Sequence, residues 1–397
     1  MTKHRPSIAL IYADTGGGHR TTAQAVAVGL DQLYGERVRV SLVNACPFMP
    51  FPYNQAERAY PLAIARARAG YALFWKVTNN APYANFTRAA MRVSGSRLIS
   101  AFFDAHPADV YVSCHPLVNQ LLPSAAKRLC PASRFLAVVS DLFSVHALFW
   151  STWIDHMMVA TDAARTLALR HGLAPGRVSV TGQPVLPNFA VRAQAGKSQR
   201  AELGLSADRT TVLLMGGGDG MGHMLETALA IAHSGLPIQL VIACGRNEHV
   251  RAKLSTLATG MPVRVLGYTE RMPEYMGAAD VLVTKAGPGS ICEGFVAGLP
   301  MIVFDAVPGQ ETGNISFVEA SGAGVWRPTP GAVVEQLRRW LAEPSALHRA
   351  RAAALAHAQP EAALNVARLA GTYALSPIGH WPRPPAYRYE LNASTRT

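Results

Sequence analysis

The stretch Val283-Thr-Lys-Ala-Gly-Pro-Gly-Ser-Ile-Cys-Glu293 constrains this chain more than any other. It reads as a buried strand, a break at two glycines around a proline, and a helix carrying one acid a turn in. Such a junction is an anion site, because the first-turn N–H groups of a helix lack partners and its dipole end is positive. Glu293 lies within reach of a ribose hydroxyl in that arrangement, so a nucleotide-diphosphate pocket is expected.

The same grammar recurs along the chain. Ile8 to Asp14 reads as a central parallel strand ended by Gly16-Gly-Gly-His19, with a helix from about Thr21, where Thr21 and Gln24 have capping-box spacing. A strand over 38–43 follows. From Phe48 to Phe103 aromatics alternate with prolines and basic residues, and this reads as helices and loops inserted between the second and third strands. Alternation then resumes with strands at 109–113, 135–140, 156–160 and 178–181, with a helix near 117–129 after the first of them. Gly182-Gln-Pro-Val-Leu-Pro-Asn188 is a Pro-rich break and the best domain boundary. Beyond it come strands at 211–215, 238–243 and 263–266, the opening stretch, and Met301 to Phe304 as a last strand. The expectation is α/β, with two Rossmann-like doubly wound domains facing a cleft. The domains are placed at 1–186 and 187–373, with a tail at 374–397.

Length and composition agree. At 397 residues the chain exceeds one core, and 49% apolar against 16% charged residues indicates a globular protein. Five scattered cysteines without a C-x-x-C pair read as reduced thiols. Ile8 to Tyr12 is too short for a secretory h-region, and no run reaches the ~18 apolar residues of a bilayer span. The net charge of +12 is uneven: residues 1–186 carry 18 Lys/Arg against 9 Asp/Glu, the remainder 19 against 16. Within 59–103 stand Arg66, Arg68, Lys76, Arg88, Arg92 and Arg97 with no acid. That excess serves an anionic surface, lipid headgroups or nucleic acid.

Three glycine loops follow strands, at Gly16 to Gly18, Gly216 to Gly222 and Gly287 to Gly289. Ligands of such sheets bind at the carboxyl ends of strands, where these loops sit. No G-x-x-x-x-G-K-[ST] or first-strand G-x-G-x-x-G occurs, which disfavours P-loop and dinucleotide enzymes. No D-x-D occurs either, so the usual metal clamp of sugar transferases is missing and no metal or other cofactor is expected. His19, where glycine loop meets helix, reads either as a turn-capping residue or as a neutral base, since a helix N-terminus disfavours imidazolium. Asp141 and His146 follow another strand and read equally as site residues or as a cap and a packing residue. Gln310-Glu-Thr-Gly-Asn314 is a polar loop suited to sugar hydroxyls or to an ordinary turn.

Five segments carry a resemblance: Ala13 to Arg20, Met215 to Gly222, Met272 to Met276, Thr284 to Ser290 and Pro308 to Asn314. In this order they resemble monogalactosyldiacylglycerol synthases and their bacterial relatives, inverting GT-B glycosyltransferases. A more distant similarity is to the peptidoglycan N-acetylglucosaminyltransferase. The resemblance implies a UDP-sugar in the C-terminal domain, diacylglycerol in the N-terminal one, and a peripheral place on the cytoplasmic membrane face. It implies that Glu293 holds the ribose, while Gly217, Gly218 and the turn Gly287, Pro288, Gly289 and Ser290 hold the diphosphate, with Asp219 also on the donor side. It places Tyr268 at the uracil and Gln310 and Glu311 at the sugar, with Asn314 also among the donor-binding residues. On the acceptor side it places Gly17, Gly18, Asp141 and His146, with His19 as base. Asp219, His223 and the segment His146 to Phe149 depart from the family pattern, the last near the acceptor. The open alternatives are another lipid-linked acceptor, a UDP-sugar epimerase, and a nucleic-acid-binding protein.

Overall fold

The structure, a computed structural model, describes residues 5–376 apart from Gly16, Asp219 and Met221. Of the tail expected at 374–397, residues 377–397 lie outside the described residues. The first half holds β1 (Ser7–Tyr12), α1 (Gly18–Tyr34) and β2 (Arg39–Asn44), then the helices α2 (Ala56–Arg66), α3 (Arg68–Thr78), α4 (Ala81–Ser94) and α5 (Ser96–Ala105). The alternation continues with β3 (Val110–Ser113), α6 (Pro116–Leu121), α7 (Pro123–Leu129), β4 (Arg134–Val139), β5 (His156–Val159), α8 (Asp162–Arg170) and β6 (Val178–Val180). After α9 (Phe189–Ala195) come β7 (Thr210–Met215), α10 (Met224–Ala232), β8 (Ile238–Ala243), α11 (Glu248–Ser255), β9 (Val263–Leu266) and α12 (Met272–Ala278). The chain then forms β10 (Val281–Lys285), α13 (Pro288–Val296), β11 (Met301–Asp305), α14 (Thr312–Ala320), β12 (Gly324–Trp326), α15 (Pro330–Ala342), α16 (Pro344–Ala356) and α17 (Ala362–Leu375).

Two six-stranded parallel sheets result, in the orders β2-β1-β3-β4-β5-β6 and β12-β11-β10-β7-β8-β9. Their central strands are apolar on both faces because helices cover both. In β1, Ile8 and Leu10 join one core and Ala9 and Ile11 the other. In β8, Ile238, Leu240 and Ile242 face one layer and Val241 and Ala243 the other. Strand order reverses between β1 and β3 and between β7 and β10. At such reversals the loops diverge to opposite faces and leave a crevice. The three glycine loops follow β1, β7 and β10, so each lies at a reversal.

Four expectations are corrected. Met301–Asp305 is not the last strand: β12 pairs with it at the sheet edge, and three residues are too few to show a period. Helix α1 starts at Gly18, with Gly17 at its N-cap in the left-handed region (φ 80°), so Thr21 and Gln24 do not form a capping box. Thr21 Oγ1 instead donates back to the Gly17 carbonyl. The helix near 117–129 is two helices, interrupted where Pro123 restarts the chain. The span 187–373 does not stay with the second sheet: α17 returns to pack on α1, and its Val366, Ala367, Leu369, Ala370 and Tyr373 enter the core beside β1, β3 and β4. Close approach is possible because Gly29 faces Ala363, and Gly371 faces Tyr34, without side chains between them.

Candidate active site

A cleft of about 590 Å³ opens between the two sheets. Its first wall comes from the β1–α1 turn and the end of β4, and includes Gly17, Gly18, His19, Ser140 and Asp141. Its second wall comes from the turns after β7 and β10 and the 308–311 loop, and includes Gly217, Gly218, Gly287, Pro288, Gly289, Ser290, Glu293, Gln310 and Glu311, with Tyr268 at the rim. Those sequence-predicted residues lie far apart in the chain and share one cavity because both sheets present their strand ends to it.

The backbone supplies anion-binding groups. Neither α1 nor α13 has a side-chain cap or an acid in its first turn, so their leading N–H groups are left for a ligand or solvent. Pro288 starts α13 at a position where a missing N–H costs nothing. Gly217 (φ 75°) takes a conformation that favours glycine and sits against the Lys285 side chain.

His19 lies in the first turn of α1, with Nδ1 3.3 Å from Ser140 Oγ. Removal from water pushes its pKa down to about 4, against the opposing pull of a hydrogen bond to the Cys114 backbone and of the Asp14 charge. The ring is therefore neutral at pH 7. His115 packs edge-on against it at 4.6 Å. Because the Leu117 N–H donates to His115 Nδ1, the proton of His115 resides on Nε2, which donates to Thr15 Oγ1 at 3.0 Å.

Two carboxyls are held in the opposite sense. Burial raises Asp141 to about 7, helped by the Glu311 charge and resisted by a hydrogen bond from Gln310. Burial alone raises Glu293 to about 7. Glu311 is compensated: Lys285 Nζ lies 2.5 Å from one oxygen and the Val307 N–H donates to the other. Among the described residues no cluster of three His, Cys, Asp or Glu is arranged to hold a metal ion.

Several predicted residues are placed elsewhere. His146 does not line the cleft; Nδ1 accepts from the Leu148 N–H, Nε2 meets Thr78 Oγ1 at 3.1 Å, and the ring packs on Trp75. It is a satisfied core histidine. Asn314 is buried behind the cleft wall, its Nδ2 donating to the Ala286 carbonyl and so bracing the Gly287 turn. Asp219 lies outside the described residues. Of the six basic residues, Arg66, Lys76, Arg92 and Arg97 are exposed. Arg68 is not on that surface: it makes a bidentate pair with Asp305 at 2.9 and 2.5 Å and donates to the Ala306 carbonyl. Arg88 is half-buried, with Nε donating to Gln120.

Sequence reasoning missed Thr15, Tyr60, Ser140, Arg246 and Lys285, all on the cleft. Ser140 and Lys285 sit at strand ends beside residues already singled out, so position alone offered a signal. Arg246 follows β8, and its guanidinium lies against Gly17 across the cleft, where an added Cβ would meet it at 3.1 Å.

Comparison with known proteins decides the family. A monogalactosyldiacylglycerol (MGDG) synthase model matches residues 19–185, and a glycosyltransferase family 28 C-terminal domain model matches 211–364. A probable monogalactosyldiacylglycerol synthase 2 of Oryza sativa subsp. indica is 32% identical over 374 residues, covering 91% of this chain and 79% of that protein. This chain belongs to the monogalactosyldiacylglycerol synthase family. Monogalactosyldiacylglycerol synthase 1 of Arabidopsis thaliana is likewise 32% identical, over 90% of this chain and 69% of its own length. Among solved structures, MurG of Acinetobacter baumannii aligns with a TM-score of 0.57 at 18% identity, covering 92% of this chain and 99% of that one. The MnaA–UDP structure of S. aureus aligns at 0.60 with 12% identity, covering 93% and 96%. These two share the fold, GT-B. As a member of the synthase family with that fold, the protein is a glycosyltransferase.

The raised carboxyls carry a stability consequence. Below the ordinary carboxyl pKa of about 4, Asp141 is protonated in both folded and unfolded chains. Between there and about 7 the unfolded chain gives up the proton while the folded one keeps it, so stability falls as pH rises through that window. Asp141→Asn removes this cost and is expected to raise the thermal midpoint at pH 8 with little change at pH 4. Thermal unfolding at both pH values measures it, and a lower midpoint at pH 8 contradicts it.

Proposed function

We propose that the protein moves a hexosyl group from UDP-galactose or UDP-glucose to the free hydroxyl of diacylglycerol, with inversion, making a monoglycosyldiacylglycerol at the cytoplasmic face of a membrane. The observation that carries this reading is the two-walled cleft, with a neutral histidine on one wall and uncapped helix and glycine-turn N–H groups on the other. A ring nitrogen of His19 takes the proton as the lipid oxygen attacks the anomeric carbon. The bond from that carbon to the phosphate oxygen breaks, and UDP departs. Its added charge falls to the backbone of Gly217, Gly218 and Gly287 to Ser290, joined by the Arg246 guanidinium. Glu293 takes the ribose, Tyr268 borders the uracil, and Gln310 and Glu311 meet the sugar. No D-x-D occurs in the sequence, and in this reading the backbone dipoles and cations serve in place of a metal.

A second base is favoured by one observation. Asp141 lines the same wall with its pKa near 7, closer to the optimum for proton transfer at neutral pH than His19 near 4. The two assignments differ in the pH profile: an acid limb near 7 that disappears in Asp141→Asn belongs to the carboxylate.

The membrane reading rests on the inserted helices. Phe51, Leu62, Leu73, Phe74, Val77, Phe86 and Val93 are all at least half exposed, and Arg66, Lys76, Arg92 and Arg97 stand exposed among them. Apolar side chains entering the acyl boundary beneath a basic fringe are the chemistry of interfacial attachment. Among the described residues no helix is long and apolar enough to cross a membrane.

Three measurements bear on this. UDP-galactose, UDP-glucose and UDP-N-acetylglucosamine offered with diacylglycerol liposomes, with lipid products read by mass, are expected to give hexosyl-diacylglycerol that persists in EDTA. His19→Ala is expected to lower kcat by about 10²–10⁴-fold while leaving UDP affinity intact; near-wild-type turnover in a folded variant removes the base assignment. Flotation is expected to show binding to anionic vesicles that weakens with salt. Neutralising Arg66, Lys76, Arg92 and Arg97 together is expected to reduce it at least tenfold, each contributing about 1 kcal/mol. Equal binding to neutral vesicles sinks the membrane reading.

A further inference from the structure

The polar loop at 308–311 is gripped from the other domain. Tyr60 of α2 and Tyr71 of α3 both donate to Gln310 Oε1, at 3.1 and 3.0 Å. Their rings brace each other edge-to-face, with centroids 5.8 Å apart. One turn along α3, Trp75 lies against Gly309 (φ 81°), where an added Cβ would come within 2.5 Å of the indole. At the start of the same helix Arg68 clasps Asp305 and the Ala306 carbonyl. Gln310 also pulls the Asp141 pKa down, as a donor to its charged form does.

These contacts settle how the amide is oriented. Tyr60 and Tyr71 both donate here, so the end of the Gln310 amide turned away from them is Nε2. The opposite atom is then Oε1, whose two lone pairs match the two phenol donors. Burial and the nearby Asp141 and Glu311 charges push the Tyr71 phenol well above its usual pKa, so it remains a donor throughout the working range. With Oε1 fully engaged, the amide has only its second N–H to offer the cleft.

Resting on the glycosyltransferase reading above, we propose that Tyr60 and Tyr71 are positioning residues for donor selection: they lock Gln310 so that it offers the sugar a hydrogen-bond donor and never an acceptor. A sugar hydroxyl opposite Gln310 must then accept, and Asp141 is the neighbouring group that receives. Galactose and glucose differ only in the direction of one hydroxyl, so a fixed donor–acceptor order distinguishes them where a freely rotating amide cannot. The acceptor domain thereby completes the donor-sugar site.

The test compares wild type, Tyr60→Phe, Tyr71→Phe, the double variant, Gln310→Ala, and Gln310→Ala with Tyr71→Phe. Phenylalanine keeps the ring packing and removes only the hydroxyls. Steady-state rates with UDP-galactose and UDP-glucose on diacylglycerol liposomes give the selectivity ratio, and UDP titration gives affinity for a ligand without the sugar. The double variant is expected to lose about five- to tenfold in selectivity through kcat/KM, with its UDP Kd and thermal midpoint close to wild type. In the Gln310→Ala background, Tyr71→Phe is expected to have no further effect, because its target is gone. Unchanged selectivity in the double variant overturns the proposal, as does a full Tyr71→Phe effect without Gln310. Wild type that transfers from neither donor overturns the function reading, and this proposal with it.

Discussion

The cleft depends on one constraint, the reversal of strand order in each parallel sheet. A reversal sends neighbouring loops to opposite faces and leaves backbone N–H groups without neighbours at the strand ends. In the first sheet that place is occupied by Gly17 and His19, in the second by the turns after β7 and β10. Glycine and proline at these turns serve backbone geometry first, and the anion-binding character follows from helix starts that no side chain caps. The chemistry is laid over a scaffold whose strand ends determine where it can be.

Holding those groups away from water has opposite effects on acids and bases. His19 is kept neutral, while Asp141 and Glu293 retain protons far above the usual carboxyl range. Each is a desolvation cost that a purely structural interior avoids. The neighbouring Lys285–Glu311 pair shows the other solution, where a buried charge is met by a partner. Uncompensated and compensated carboxyls thus stand side by side, which is the pattern of a site tuned for function at the expense of stability.

Local patterns in the sequence conveyed the local features. The glycine turns, His19 at a helix start and Glu293 one turn into α13 are short-range arrangements, and all three are where the spacing places them. Long-range partners were not legible. Arg68 belongs by composition to a basic surface, yet its carboxylate partner is 237 residues away. His146 follows a strand as Asp141 does, and only the packing of Trp75 and Thr78 distinguishes a core histidine from a site residue. Helix α17 follows the second domain in sequence, but its small residues fit α1 of the first. Tyr60 and Tyr71 fall within the aromatic and basic insertion, and only the fold brings Gln310 to their hydroxyls.

The central claim is that the two walls act together in a single in-line displacement, acceptor attack on one side and loss of UDP on the other. The configuration of the new glycosidic bond tests it most directly. Proton NMR of the glycolipid formed from an α-linked UDP-hexose and diacylglycerol is predicted to show a β linkage. An α-linked product would contradict the account, because it requires two displacements or a front-face route that this pair of walls does not provide.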